Sequence, residues 1–257
     1  MLTQTETATD TESQTETWIP MDVATAERQV LSVEQLKVGY GQSQVIPGLS
    51  FHAAQNEIVA IMGRNGMGKT TLFKALIGIL PVTGGRILLN GQDLTGREPF
   101  DRVAAGLAYV PQGRMIFPRL TVEDNIRSGL RSRAEEVPDE VFEFFPVLKD
   151  MRGRRGGNLS GGQQQQLAIA RALASQPKVL LLDEPTEGIQ PSIIKDLARI
   201  LKMIRDRRGL TIVVSEQVLS FALEIADRLL VLERGRVTLQ SRRDEVDEAS
   251  VSRMLSI

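Results

Sequence analysis

Gly63-Arg64-Asn65-Gly66-Met67-Gly68-Lys69-Thr70 follows five apolar residues, Ile58 to Met62, and opens a stretch of helical character from Thr70 to about Ile79. A short apolar run that breaks into spaced glycines and then into a helical pattern predicts a buried strand turning sharply into a helix. Glycine lets the backbone curl until successive N–H groups point at one spot, and the helix start adds the positive end of its dipole. The pattern G-x-x-x-x-G-K-[ST] in this strand–loop–helix context fits a phosphate group, with Lys69 reaching its outer oxygens and the Thr70 hydroxyl facing Mg²⁺.

Further along, Val179 to Leu182 is a second apolar run, ending directly in Asp183 and Glu184. Carboxylates at the C-terminal end of a buried parallel strand stand where such sheets bind ligands. Asp183 is the expected magnesium partner, and Glu184 the group to orient or deprotonate an attacking water. Between the two runs, Ser160 and Gln163 satisfy the S-x-x-Q capping box in Leu159-Ser160-Gly161-Gly162-Gln163. A helix therefore starts at Gly161, and its two glycines predict an open tip able to meet a second phosphate group.

Around these stretches the pattern alternates. Short strand-like runs from Val30 to His52 are separated by Gly39-Tyr40-Gly41 and Pro47-Gly48, and Arg86 to Leu89 leads into an Asn90-Gly91 hairpin turn. Between Phe117 and Arg155 apolar residues recur at helical spacing, in Val122-Ile126-Leu130 and Val141-Phe142-Phe145, which predicts an inserted helical lobe. Helices from about Gly161 to Ser175, Ile193 to Arg207 and Val218 to Ala226 alternate with strands at Val179–Leu182, Thr211–Ser215 and Leu229–Leu232. That alternation implies a parallel sheet covered on both faces.

Composition closes several other routes. The 257 residues contain no cysteine, so disulfide scaffolds and thiol nucleophiles are excluded, and the single histidine, His52, argues against Ser-His-Asp chemistry. No stretch approaches the roughly 18 apolar residues of a membrane-spanning helix, so any membrane association is expected through a partner. Residues 1–27 hold six acids and no Lys or Arg; removing those six leaves 26 acids against 31 basic residues, a body at +5. With 4% aromatics, that mild surplus predicts no nucleic-acid binding. Residues 1–28, rich in Thr and Glu, are expected to be a disordered acidic tail.

Taken together the three motifs resemble the ATP-binding-cassette (ABC) ATPases: Gly63 to Thr70 look like the Walker A motif, Asn158 to Gln163 like the signature motif and Val179 to Glu184 like Walker B. The resemblance spans about Val30 to Gly235. It implies an α/β P-loop NTPase cassette with a parallel core sheet, an antiparallel β subdomain and an inserted helical subdomain. Its expected division is a nucleotide-binding core in two parts, 29–112 and 158–240, a helical subdomain at 113–157 and a C-terminal extension at 241–257.

The resemblance further implies ATP and Mg²⁺ as cofactors. ATP would meet Tyr40 (by stacking on adenine), Gly63, Arg64, Asn65, Gly66, Met67, Gly68, Lys69, Thr70 and Thr71 of its own cassette. From a facing cassette it would meet Ser160, Gly161, Gly162 and Gln163. Thr70, Gln112 and Asp183 would attend the metal, while Glu184, Gln112 and Gln217 would act in hydrolysis. For Tyr40, core packing is the alternative. Two departures weaken the expectation of hydrolysis at this chain's own site: Gln217 stands where the family carries a switch histidine, and Gln190 where an aspartate is common.

Glu187 to Ile194, the Glu216-Gln217 pair, and Tyr109 to Arg114 with Ile116 to Val122 resemble the second ATPase subunit of urea and branched-chain amino acid importers. The glutamine run Gln163 to Gln166 and Ile189-Gln190 favour the urea type, with the branched-chain amino acid type as the alternative. The implied partners are a second ABC ATPase subunit, identical or related, two transmembrane permease subunits and an extracytoplasmic solute-binding protein. The implied place is peripheral, on the cytoplasmic face of a bacterial plasma membrane. An ABC ATPase of translation or DNA repair is a distant alternative, and a P-loop kinase or GTPase would leave Ser160 to Gln163 unexplained.

Overall fold

The computed structural model describes residues 29–255; the expected acidic tail lies outside them. A six-stranded sheet forms the centre, built from β3 (Ile58–Met62), β6 (Leu107–Val110), β7 (Val179–Asp183), β8 (Thr211–Glu216), β9 (Arg228–Glu233) and β10 (Arg236–Arg242). Their spatial order is β10-β9-β3-β8-β7-β6, with β10 alone antiparallel. The continuous apolar character of β3, β7 and β8 follows from burial on both sides. Ile58, Ala60 and Met62 join one apolar cluster, whereas Val59 and Ile61 join the other.

The two faces are covered differently. One carries helix α6 (Gly161–Ala174), helix α7 (Pro191–Arg208) and helix α8 (Leu219–Ile225). The opposite face carries helix α1 (Lys69–Ile77) and a four-stranded antiparallel sheet of β1 (Gln29–Tyr40), β2 (Ser43–Ala54), β4 (Val82–Leu89) and β5 (Gln92–Asp93). Residues 113–157 include the short helices α3 (Val122–Arg127), α4 (Asp139–Phe144) and α5 (Pro146–Asp150). Val122, Ile126, Val141, Phe142 and Phe145 of this stretch belong to the same buried cluster as Leu167 and Ala170 of α6. Its base is closed by the bridge between Thr121 and Arg155.

Pro47-Gly48, expected as a turn between short strands, lies inside β2 instead. Leu36 pairs with Leu49 but Lys37 with Pro47, so the dipeptide is a bulge that absorbs a residue without a backbone donor. Asn90-Gly91 is a two-residue hairpin turn with φ of +49° and +76°, both in the left-handed region that such turns require. Helix α2 (Pro99–Ala105), the two-residue strand β5, strand β6 and strand β10 went unread in the sequence. The chain closes with helix α9 (Glu248–Leu255).

Candidate nucleotide site at the strand ends

Parallel register decides which side chains meet. Met62 of β3 is level with Glu216 of β8, and Asp183 of β7 is level with Ser215. The ends of three neighbouring strands thus form one ledge, and the loop Gly63 to Thr70 rises from the β3 end of it. Gly66 and Gly68 have φ of +81° and +103°, which a side chain would strain. At Gly63 the need is close approach, since an added Cβ would lie 2.7 Å from the Leu232 carbonyl oxygen.

Lys69 is 3% exposed. Its ammonium donates to the Gly63 carbonyl and to the Arg64 carbonyl at 3.0 Å, and pairs with Glu184 Oε1 at 3.1 Å. Thr71 is buried in the same first turn of α1. Met67 fixes the far side of the loop: its carbonyl accepts from Gly235 N at 3.0 Å and its sulfur from Arg234 N at 3.4 Å. Beside the loop, Val45 Cγ1 would lie 3.4 Å from a Cβ at Gly68. Tyr40 is half exposed at the tip of the same β1–β2 hairpin, which excludes the core-packing alternative.

Asp183 is buried and fully engaged. Its Oδ1 accepts from Ser215 Oγ at 2.6 Å and Thr70 Oγ1 at 3.3 Å, and its Oδ2 from the Tyr109 hydroxyl at 3.1 Å. Burial pushes its pKa up, hydrogen bonds from Ser215, Thr70 and Tyr109 pull it back, and the neighbouring Glu184 adds a small upward push. The Tyr109 hydroxyl is held protonated, first by burial and then by Asp183. Thr70 and Asp183 side by side offer two hard oxygen donors of the kind Mg²⁺ takes while phosphates and water complete its shell. Among the described residues no group of three or more His, Cys, Asp or Glu could hold a metal by itself, so the donor set fits a metal delivered with phosphate.

Glu184 follows the strand with φ of +49°, a left-handed conformation that costs a non-glycine residue about 1–3 kcal/mol. Its N–H donates to the Ser215 carbonyl and hydroxyl, at 3.1 and 3.2 Å, which holds the turn. The carboxylate is thereby aimed at the loop: Oε1 meets Lys69, and Oε2 accepts from Gln217 Nε2 at 2.9 Å and, at a long 3.4 Å, from Gln112 Nε2. Gln217 Nε2 also donates to Asn65 Oδ1 at 2.8 Å.

Beneath Gln217 lies Glu216, 1% exposed. One of its oxygens accepts from Thr186 N and Oγ1, at 3.1 and 2.6 Å; the other accepts from the N–H groups of Gln217 and Val218, at 2.9 and 3.2 Å. Burial raises its pKa against these bonds. Ser215 and Glu216 therefore position both Asp183 and Gln217, and neither was singled out for that in the sequence. The available signal was a polar pair closing the apolar run of β8, because buried polar groups need partners.

Ser160 to Gln163 stand apart from this cluster, with no hydrogen bond or ion pair to the loop Gly63–Thr70 among the described residues. Both capping-box bonds are present: Gln163 N donates to Ser160 Oγ at 3.4 Å and Ser160 N to Gln163 Oε1 at 3.0 Å. The expectation that both glycines keep the tip open needs correction. A Cβ at Gly162 would lie 2.6 Å from Ile193 Cγ2, so that glycine lets α6 approach α7, while the space at Gly161 is bordered by the Arg114 guanidinium at 3.3 Å.

Fold and site together define a P-loop nucleotide-binding α/β protein. Residues 46–187 match the ABC transporter family model, and the chain belongs to that family, whose ATP hydrolysis is coupled to transport. It is 40% identical over 214 residues to the high-affinity branched-chain amino acid transport ATP-binding protein BraG of Pseudomonas aeruginosa, covering 82% of this chain and 91% of that one. Identity is 38% over 224 residues to the probable branched-chain amino acid transport ATP-binding protein LivF of Archaeoglobus fulgidus, 85% and 94% of the two chains. The fold is similar to a nucleotide-free ATP-binding cassette from an ABC transporter, with a TM-score of 0.76 and 25% identity over 89% of this chain and 96% of the other. It is similar also to the ADP conformation of another such cassette, at a TM-score of 0.75 and 25% identity over 89% and 99%. Among the described residues no helix is long and apolar enough to cross a membrane.

Proposed function

We propose that this chain is the ATP-binding and hydrolysing subunit of an importer for branched-chain amino acids. The names carried by its BraG and LivF relatives support that solute over urea, which the glutamine run had favoured. The observation that carries the enzymatic reading is the meeting of Lys69, Asp183, Glu184 and Gln217 on one ledge beside the loop Gly63–Thr70.

In this reading the N–H groups of Gly63 to Thr70 cradle the β- and γ-phosphates, Lys69 neutralises them, and Thr71 and the α1 N-terminus support the α-phosphate end. Thr70 and Asp183 would hold Mg²⁺ arriving with ATP, Gln112 would face its shell, and the bound ion would supply positive charge to the phosphates. Tyr40 stacks on the adenine. Glu184 accepts hydrogen bonding from the attacking water, and Gln217 holds the γ-phosphate through its amide, which cannot carry a proton as imidazole does. Ser160, Gly161, Gly162 and Gln163 serve the ATP of a second cassette subunit, so that binding clamps the pair and hydrolysis releases it.

Two permease chains and an extracytoplasmic solute-binding protein complete the system, which places this subunit peripherally on the cytoplasmic face of the plasma membrane. Residues 113–121 with the helical stretch after them are the proposed contact for a permease. Uptake of labelled leucine and of labelled urea by a deletion strain tests the solute. Loss of leucine uptake alone is expected; loss of urea uptake with leucine uptake intact overturns the assignment.

A further inference from the structure

The segment leaving Gln112 is held in an unusual way. Gly113, Arg114 and Met115 have φ of +78°, +68° and +48°, three successive residues in the left-handed region. L-residues adopt that region singly and do not continue it without support from outside the turn. The support comes from helix α6: Arg171 donates from Nη1 to the Met115 carbonyl at 2.8 Å and from Nη2 to the Arg114 carbonyl at 3.2 Å. Its guanidinium also lies over the Phe117 ring, 5.4 Å from the centroid.

Arg114 reaches back the other way. Its Nη2 donates to the Glu187 carbonyl at 3.0 Å and the Gly188 carbonyl at 3.4 Å, in the loop after β7. The same guanidinium borders Gly161 at the N-terminus of α6. One left-handed turn is thus clamped at its carbonyls by the last turn of α6, while its own side chain binds the loop after Glu184 and fills the space where a side chain at Gly161, in the first turn of α6, would lie.

We propose that Arg114 is a positioning residue, working with Arg171 as a two-arginine latch that ties movement of the Gln112 loop to the glycine-tipped start of α6 and to the loop after β7. This deepens the functional reading above and rests on it. If phosphate moves Gln112, the strained turn cannot yield separately: its carbonyls drag Arg171, and its guanidinium drags Glu187 and Gly188. Both ends of α6 then shift with the loop as one body. Arg114 touches no phosphate in this scheme.

The test is amide hydrogen exchange on the full-length chain carrying Glu184→Gln, with and without ATP and magnesium, compared with the same chain also carrying Arg114→Ala. Without the second substitution, ATP is expected to slow exchange both at residues 63–71 and at residues 161–175. With Arg114→Ala, the slowing at 63–71 should persist and that at 161–175 should fall by at least about fivefold, the lower end of typical coupling between sites. Arg114→Lys, which keeps the charge but not the forked geometry, should fold normally and give an intermediate response.

An unchanged response at 161–175 in both variants overturns the latch. Equal loss at both segments assigns Arg114 to general stability and overturns it too. No ATP response at 63–71 in the parent chain sinks the nucleotide reading itself, a failure distinct from the other two.

Discussion

A lysine ammonium has three hydrogens, and Lys69 directs them to the Gly63 carbonyl, the Arg64 carbonyl and Glu184. A phosphate oxygen that binds Lys69 must displace one of these partners, and the anionic one is Glu184. Glu184→Gln should therefore lower the melting temperature without nucleotide, through a cost of about 1–3 kcal/mol for a weakened buried contact. It should also widen the upward shift on adding ATP, and should block turnover; a smaller ATP shift than wild type would show that Glu184 is not the counter-ion of Lys69. Gln217 contributes two hydrogens from one nitrogen, to Asn65 and Glu184. Gln217→Ala removes both and should slow ATP turnover about tenfold to hundredfold. Gln217→His keeps one bond and gains a proton carrier, so steady-state hydrolysis should hold or rise. Lys69, Thr70, Asp183 and Glu184 were legible because their chemistry sits in contiguous motifs. Ser215 and Glu216 were not, since their partners Asp183 and Thr186 lie some thirty positions away and meet them only through strand register.

Among elements, α6 is committed at both ends. Ser160→Ala deletes half of its capping box and should cost about 1 kcal/mol of unfolding free energy, measurable by urea titration. Gly162→Ala drives a methyl toward Ile193 Cγ2 and should cost about 1–3 kcal/mol; Ile193→Ala in the same chain should restore part of that, since the two atoms share one space. An additive result would place the strain elsewhere. Helices α6 and α7 were legible within about two residues because apolar periodicity and caps agree. Strand β6 was missed because Leu107–Val110 is too short for any period to show, and it becomes a strand by pairing with β7. Pro47-Gly48 misled because the dipeptide that marks turns also marks bulges, and only the pairing with Leu36 and Lys37 distinguishes them.

At the level of the whole molecule, the two sheets are joined by a charged knot. His52 of β2 receives a hydrogen bond on Nε2 from Arg228 of β9 at 3.0 Å, and Arg228 pairs with Glu57 at 3.0 Å. Arginine only donates, so the imidazole must be neutral to accept. Burial, aided by the charge of Arg228, lowers the His52 pKa from 6.5 to about 4. A base with a depressed folded pKa contributes stability that is full above pH 6.5 and lost as pH falls toward 4. Asp183 and Glu216, raised by burial, act in the opposite sense, so the test is a difference. His52→Gln, which accepts without titrating, should flatten the decline of unfolding free energy between pH 6.5 and 4 relative to wild type. An identical decline in both proteins would remove His52 as its source.

The adjoining strand ends carry one more consequence. Met62 and Glu216 finish their strands side by side, Asp183 ends one row earlier, level with Ser215, and Gln217 is the first residue past these ends. A reactive tip mounted just beyond a rigid rail can be exchanged without retuning the rail. An amide can thus stand where an imidazole would serve, and the scaffold beneath has no reason to register the swap.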